Sequence, residues 1–138
     1  MAGPPKLTPG EALPRFVRAG TAAHWARFAA VNDEFAPHHW DDAVAQAEGF
    51  PAAFAMAPLL QAYLQAMVRD WAGDAGRVLR LDIRLRSPLL RGRSFIGAGE
   101  VVEVRAVPGA REAELTLTAH DDIGALLITG AATVAFAD

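Results

Sequence analysis

Pro58-Leu59-Leu60-Gln61-Ala62-Tyr63-Leu64-Gln65-Ala66-Met67-Val68-Arg69-Asp70-Trp71, followed beyond Gly73 and Gly76 by Val78-Leu79-Arg80-Leu81-Asp82-Ile83-Arg84-Leu85-Arg86, decides the fold of this 138-residue chain. The first segment is apolar nearly all round: Leu59, Leu60, Ala62, Tyr63, Leu64, Ala66, Met67 and Val68 leave little polar face, and Pro58 suits a first helical turn. A helix of that kind over residues 59–71 must be covered on most sides. The second segment alternates strictly, with Leu79, Leu81, Ile83 and Leu85 pointing one way and Arg80, Asp82, Arg84 and Arg86 the other. That spacing predicts a half-buried strand able to supply the cover.

Three further strands are readable downstream, over residues 95–106, 112–120 and 125–136. Ala113, Leu115, Leu117 and Ala119 alternate cleanly in the second of them. Pro108-Gly109 and Asp121-Asp122-Ile123-Gly124 carry hairpin turn chemistry, so consecutive strands should run antiparallel. Gly97, Gly99 and Gly130 fall inside strands, where they allow sharp coiling or the close approach of another backbone. The expected class is α+β, a strongly curved antiparallel sheet wrapped around one long central helix.

Upstream, Thr21 is placed to cap a helix from Ala22 to about Val31, with Trp25, Phe28 and Ala29 on its buried side and Val31 a further candidate. Asp41 or Asp42 can cap a second short helix over residues 43–48, ended by Gly49. Met1 to Pro14 holds four prolines and no apolar run, which reads as a flexible arm over residues 1–13 rather than a signal peptide. A single domain is expected over residues 14–138.

With 52% hydrophobic residues the chain can bury a real core. A net charge of −3 and scattered basic residues argue against a nucleic-acid partner. Arg77, Arg80, Arg84, Arg86, Arg91 and Arg93 are the local exception. They read either as solvent-facing strand positions or as a basic rim that receives the phosphates of a nucleotide-bearing substrate. Cysteine is absent, which excludes thiol catalysis and cysteine-ligated metals. No stretch approaches the roughly twenty apolar residues of a membrane span, so a soluble cytoplasmic protein with no membrane partner is expected.

The chemistry concentrates in Asn32-Asp33-Glu34-Phe35-Ala36-Pro37-His38-His39-Trp40-Asp41. Glu34 with His39, or Asp33 with His38, sets a carboxylate and an imidazole five positions apart on a proline-pinned loop. Such a pair can meet around one water molecule, as general acid–base chemistry requires. Pro37 fixes its own backbone and drives Ala36 toward an extended conformation, while Phe35 and Trp40 give the loop something to pack. The plainer reading is a solvated connection between helices.

This order of elements, together with the acid/His loop, resembles the hotdog fold of the MaoC-like, R-specific enoyl-CoA hydratases. The family's loop reads Asp-x-Asn-Pro-(apolar)-His-x-Asp. Alignment on Pro37, His39 and Asp41 puts Glu34 at the acid, Ala36 at the asparagine and His38 at the apolar site. The family's His-Gly at the start of the central helix falls on Met56-Ala57. The likeness spans most of residues 14–136, including Ser87-Pro88 and Gly130-Ala131-Ala132-Thr133-Val134. Arg69-Asp70-Trp71-Ala72-Gly73-Asp74-Ala75-Gly76 looks like the helix exit of small actinobacterial hydratase subunits that pair with a second hotdog chain.

The resemblance implies hydration of a 2-enoyl thioester, carried on CoA or acyl carrier protein, with Glu34 and His39 as the catalytic pair and Asp33 as the rival acid. It implies that Met56, Ala57, Pro37 and Trp40 line the substrate, that no cofactor or metal is needed, and that the chain forms a homodimer or a heterodimer with a second hotdog chain. A silent hotdog subunit supporting an active partner, an acyl-thioesterase and a plain acyl-binding module remain as alternative readings.

Overall fold

A computed structural model describes residues 5–138. One short strand and three α-helices come first, and four long strands close the chain. β1 is Phe16–Ala19, α1 Ala22–Asn32, α2 Asp42–Ala47 and α3 Ala57–Ala72. β2 (Gly76–Leu85), β3 (Ser94–Val107), β4 (Ala110–Asp121) and β5 (Leu126–Ala137) follow. One five-stranded sheet forms in the order β1-β3-β4-β5-β2, antiparallel at every step. It curls around α3, and this single curled sheet with one long helix is the hotdog architecture.

Local chemistry explains most boundaries. The Thr21 side chain accepts from the His24 N–H at 3.3 Å and starts α1. The Asp41 carboxylate accepts from Ala43 and Val44 N–H at 2.8 and 3.3 Å and starts α2, and Gly49 follows at φ 95°. Pro58 sits in the first turn of α3, and Gly73 ends that helix at φ 60°, where a side chain would be strained. At the β4–β5 turn the Asp121 carboxylate accepts from Ile123 and Ala125 N–H. Ser94 N–H donates to Asp122 at 2.9 Å, and this bond is the main reason its carboxyl is held below the usual aspartate range.

Leu59, Leu60, Leu64, Met67, Val68, Trp71 and Ala72 of α3 are buried against the concave face, where Phe95, Leu115, Leu117, Ile128 and Val134 meet them. A fully buried Leu or Met contributes about 1.5–3 kcal/mol through loss of apolar surface to water, so this helix anchors the fold. Gly97 makes the approach possible. A methyl group there would lie 2.8 Å from the sulfur of Met67.

Several expectations need correction. The face of α3 that carries Gln61, Ala62, Gln65 and Arg69 is exposed, because two glutamines one turn apart keep one side of the helix polar. Val31 is 84% exposed, since the last turn of α1 projects beyond the core. The register of β2 against β5 slips between Val78 and Arg80, which leaves Leu79 as an extra residue at a bulge. The inward face is therefore Val78, Leu81 and Ile83, while Leu79 and Leu85 are about half exposed. Arg91 and Arg93 lie in the β2–β3 connection rather than on a strand. Arg80 pairs with Asp82 and Glu114, and Arg93 with Asp122.

The first four residues of the expected arm lie outside the described residues. Beyond them the chain is held rather than free. Gly10 and Leu13 N–H donate to Val101 and Gly99 carbonyls at 2.8 Å, and Leu13 is buried in the core. An apolar anchor next to chain already extended by Pro9 and Pro14 suits the flank of β3. Packing thus begins before residue 14. Among the described residues, no helix is long and apolar enough to cross a membrane.

Candidate active site

The loop leaves α1 through Asp33, which takes a left-handed conformation (φ 53°) and donates its N–H to Ala29. Pro37–His39 then forms one short 3-10 turn with proline at its start. This turn drives His39 inward until it is 7% exposed, while Glu34 and Trp40 stay near the surface.

Phe54 fixes the imidazole. His39 Nδ1 lies 2.7 Å from the Phe54 carbonyl oxygen. A carbonyl can only accept, so the proton is on Nδ1 and the Nε2 lone pair of the neutral ring is free. The carbonyl itself is held by a surrounding lattice of backbone bonds. Phe54 N–H donates to the His38 carbonyl at 3.3 Å, Ala53 N–H donates to Asp42 at 2.8 Å, and Ala55 N–H donates to the Leu89 carbonyl at 2.8 Å. Arg91 clamps the same region through the Asp42 carboxylate and the Trp40 carbonyl.

His39 Nε2 faces Glu34 Oε1 at 3.7 Å. That is beyond a direct hydrogen bond and close enough for both groups to touch one small molecule beside them. A small molecule that carries protons, such as water, fits between the two groups and can hydrogen-bond to both. The arrangement is suited to taking a proton at one atom and delivering one from the other. His38 goes elsewhere: its Nδ1 meets Glu48 at 2.9 Å, and its ring stacks on Phe54 at 4.9 Å. Only 26% of the His38 side chain is exposed, so the ring is packed rather than free in solvent. Asp33 is exposed and makes no ion pair with either histidine among the described residues.

A groove of about 270 Å³ opens over the imidazole. Its buried floor is Trp25, Ala29, His39 and Met56. Ala22 and Ala26 on one side, and Phe35, Trp40 and Arg91, form its exposed banks. Of the residues expected to line substrate, Met56 and Trp40 are gathered here with His39. Ala57 instead lines a second apolar cavity of about 260 Å³, with Phe54, Leu60, Leu85 and Pro88, and Pro37 lines neither. Sequence reading missed Phe54, whose contribution is a main-chain oxygen with no residue signature. It also missed the α1 groove, although alanines at positions 22, 26 and 29 share one helical face and could have been noticed.

No family model and no curated protein matches the sequence. Solved structures do match. The (R)-hydratase from A. caviae involved in PHA biosynthesis is 26% identical, with 92% of this chain and 95% of that chain covered and a TM-score of 0.81. A MaoC-like dehydratase is 25% identical at a TM-score of 0.83, and the match takes in 98% of this chain but 42% of that one. The ChsH1-ChsH2 complex from Mycobacterium tuberculosis shares the fold at 22% identity and a TM-score of 0.82, covering 94% and 98%. Fold and loop together define a hotdog protein with an acid/His site. Within that class the chain is similar to the MaoC-like hydratases and dehydratases.

Proposed function

We propose that the chain catalyses reversible hydration of a 2-enoyl thioester to a 3-hydroxyacyl thioester, with His39 and Glu34 as its acid–base pair. The single observation that carries this reading is the buried His39 imidazole at the floor of an apolar groove, tied at Nδ1 to the Phe54 carbonyl and with Nε2 3.7 Å from the Glu34 carboxylate. Hydratases and dehydratases among its structural relatives support the same class.

In the forward direction His39 Nε2 takes a proton from water as the water oxygen bonds to C3. The C2=C3 electron pair moves toward the thioester, and the enolate so formed takes a proton at C2 from the Glu34 carboxyl. Glu34 is left ionised and His39 protonated; transfer of that proton back to Glu34 resets the site. Enolate charge on the thioester oxygen calls for preorganised donors, and the N-terminal end of α3, whose N-cap residue Met56 lines the groove, can supply N–H groups together with the helix dipole. Pro58 has no N–H to give.

The partner is a second hotdog unit, identical or different. Support comes from β2, an edge strand whose Leu79 and Leu85 are about half exposed. A complex of two chains is also found among the structural relatives.

Hydration of crotonyl-CoA, followed at the loss of enoyl-thioester absorbance, tests the reading. His39→Ala should lower kcat/KM by about a hundred- to ten-thousand-fold, the usual cost of losing one member of an acid–base pair. Activity within threefold of the parent would end this assignment. Turnover that appears only with a co-expressed partner and ignores both Glu34 and His39 would mark a supporting subunit instead.

A further inference from the structure

The groove over His39 is longer than the chemistry of an enoyl group needs, and its extra length lies along α1. Ala22, Trp25, Ala26 and Ala29 occupy one helical face and all line it. From Ala22 to Ala29 that face runs about 10 Å at the helical rise per residue. Small side chains at three of the four positions leave the wall shallow, and Trp25, 4% exposed, gives it an apolar floor. The one cation on the banks, Arg91, is already taken by Asp42 and the Trp40 carbonyl, so the groove offers no free charge to an anionic tail. Phe35 and Trp40 stand 57% and 47% exposed on the bank, edge to face at 6.5 Å, which is a surface that an apolar ligand would cover.

We infer that the α1 groove holds the linear acyl tail of the substrate, and that Ala26, with Ala22, sets the chain length this protein accepts. This rests on the hydratase reading above. A cavity of about 150 Å³ takes one benzene ring, so a volume of about 270 Å³ accommodates roughly ten carbons. The substrate class is therefore a medium-chain 2-enoyl thioester, with its reactive carbons above His39 and its tail along the alanine face of α1.

Ala26→Phe places a ring in the groove from an exposed helix position, where the fold tolerates change. Two readouts are taken on the purified full chain. The first is quenching of tryptophan fluorescence by octanoyl-CoA, which is saturated and cannot be hydrated; Trp25 and Trp40, two of the chain's three tryptophans, line the groove. Saturable quenching beyond that given by CoA alone is expected, weakened at least tenfold by Ala26→Phe, the equivalent of roughly two methylenes no longer buried. The second is the ratio of kcat/KM for 2-octenoyl-CoA to that for crotonyl-CoA, which should fall at least tenfold in the variant.

Octanoyl-CoA binding that Ala26→Phe leaves unchanged overturns the groove assignment, even where crotonyl-CoA is hydrated. So does the lack of any quenching beyond that of CoA, which would leave the groove to a protein partner. Binding that is weakened by the variant in a chain that hydrates no enoyl-CoA upholds the groove and removes the hydratase reading.

Discussion

His39 and Glu34 approach to 3.7 Å, yet the two sides of the site are built differently. The histidine side is buried, hydrogen-bonded at Nδ1 and packed edge-on against Phe54 at 5.3 Å. The acid side is 40% exposed on its side chain and sits where the chain has just left α1 through a left-handed residue. On the proposed reading, the fold therefore holds the base more tightly than the acid. Preorganisation is concentrated where a misdirected lone pair would cost most.

Substitutions put this contrast to the test. Beside the loss already expected for His39→Ala, the largest effect is expected at Glu34. Glu34→Gln should lower kcat/KM on crotonyl-CoA by at least a hundredfold, while the urea midpoint moves little, as befits a half-exposed side chain. Glu34→Asp shortens the arm by one methylene and should lose tenfold or more, because catalytic placement responds to shifts of about an ångström. Full activity in the aspartate variant would show that the loop moves inward to compensate and that the acid side is as adaptable as its exposure implies.

Next comes the floor of the histidine side. Phe54→Ala removes a ring packed against Phe50 at 4.2 Å and stacked with His38 at 4.9 Å, at an expected cost of about 2–3 kcal/mol in urea unfolding, toward the low end for aromatic truncations because the ring is only partly buried. The Phe54 carbonyl remains, so the variant should keep measurable turnover once folded. Complete loss at a temperature where the variant stays folded would mean that the ring, and not the main chain, orients His39.

Smaller still is Glu48→Ala, which leaves His38 without its carboxylate. An ion pair this exposed is worth about 0–1 kcal/mol, and its thermal midpoint should move by only a few degrees. The smallest effect is expected from Asp33→Asn, since asparagine tolerates the left-handed conformation and no ion pair is lost. Hydration should stay within twofold. A hundredfold fall there would transfer the acid's role to Asp33.

How much of this could be read from the chain alone depended on whether a signal resides in side chains. β4 behaves as its alternation predicts, with Ala113, Leu115, Leu117 and Ala119 all buried, because it lies in the middle of the sheet with a strand on each side. β2 alternates just as strictly and still turns Leu79 outward. The bulge that does this belongs to its pairing with β5, which no single strand records. β1 was missed because four residues are too few to show a period, and its pairing to β3 is entirely tertiary. Glu34 and His39 were legible from their spacing around Pro37. The separation of Ala57 from the groove, and the assignment of His38 to Glu48, depend on how α2 and α3 meet, and local sequence is silent on that.

The atom that orients the imidazole belongs to the peptide backbone. Replacement of the Phe54 side chain would leave its oxygen in place, so the basic nitrogen of His39 is insulated from drift in its neighbours. With alanine at residue 36, histidine at 38 and methionine at the start of α3, the ring is still turned by the main chain.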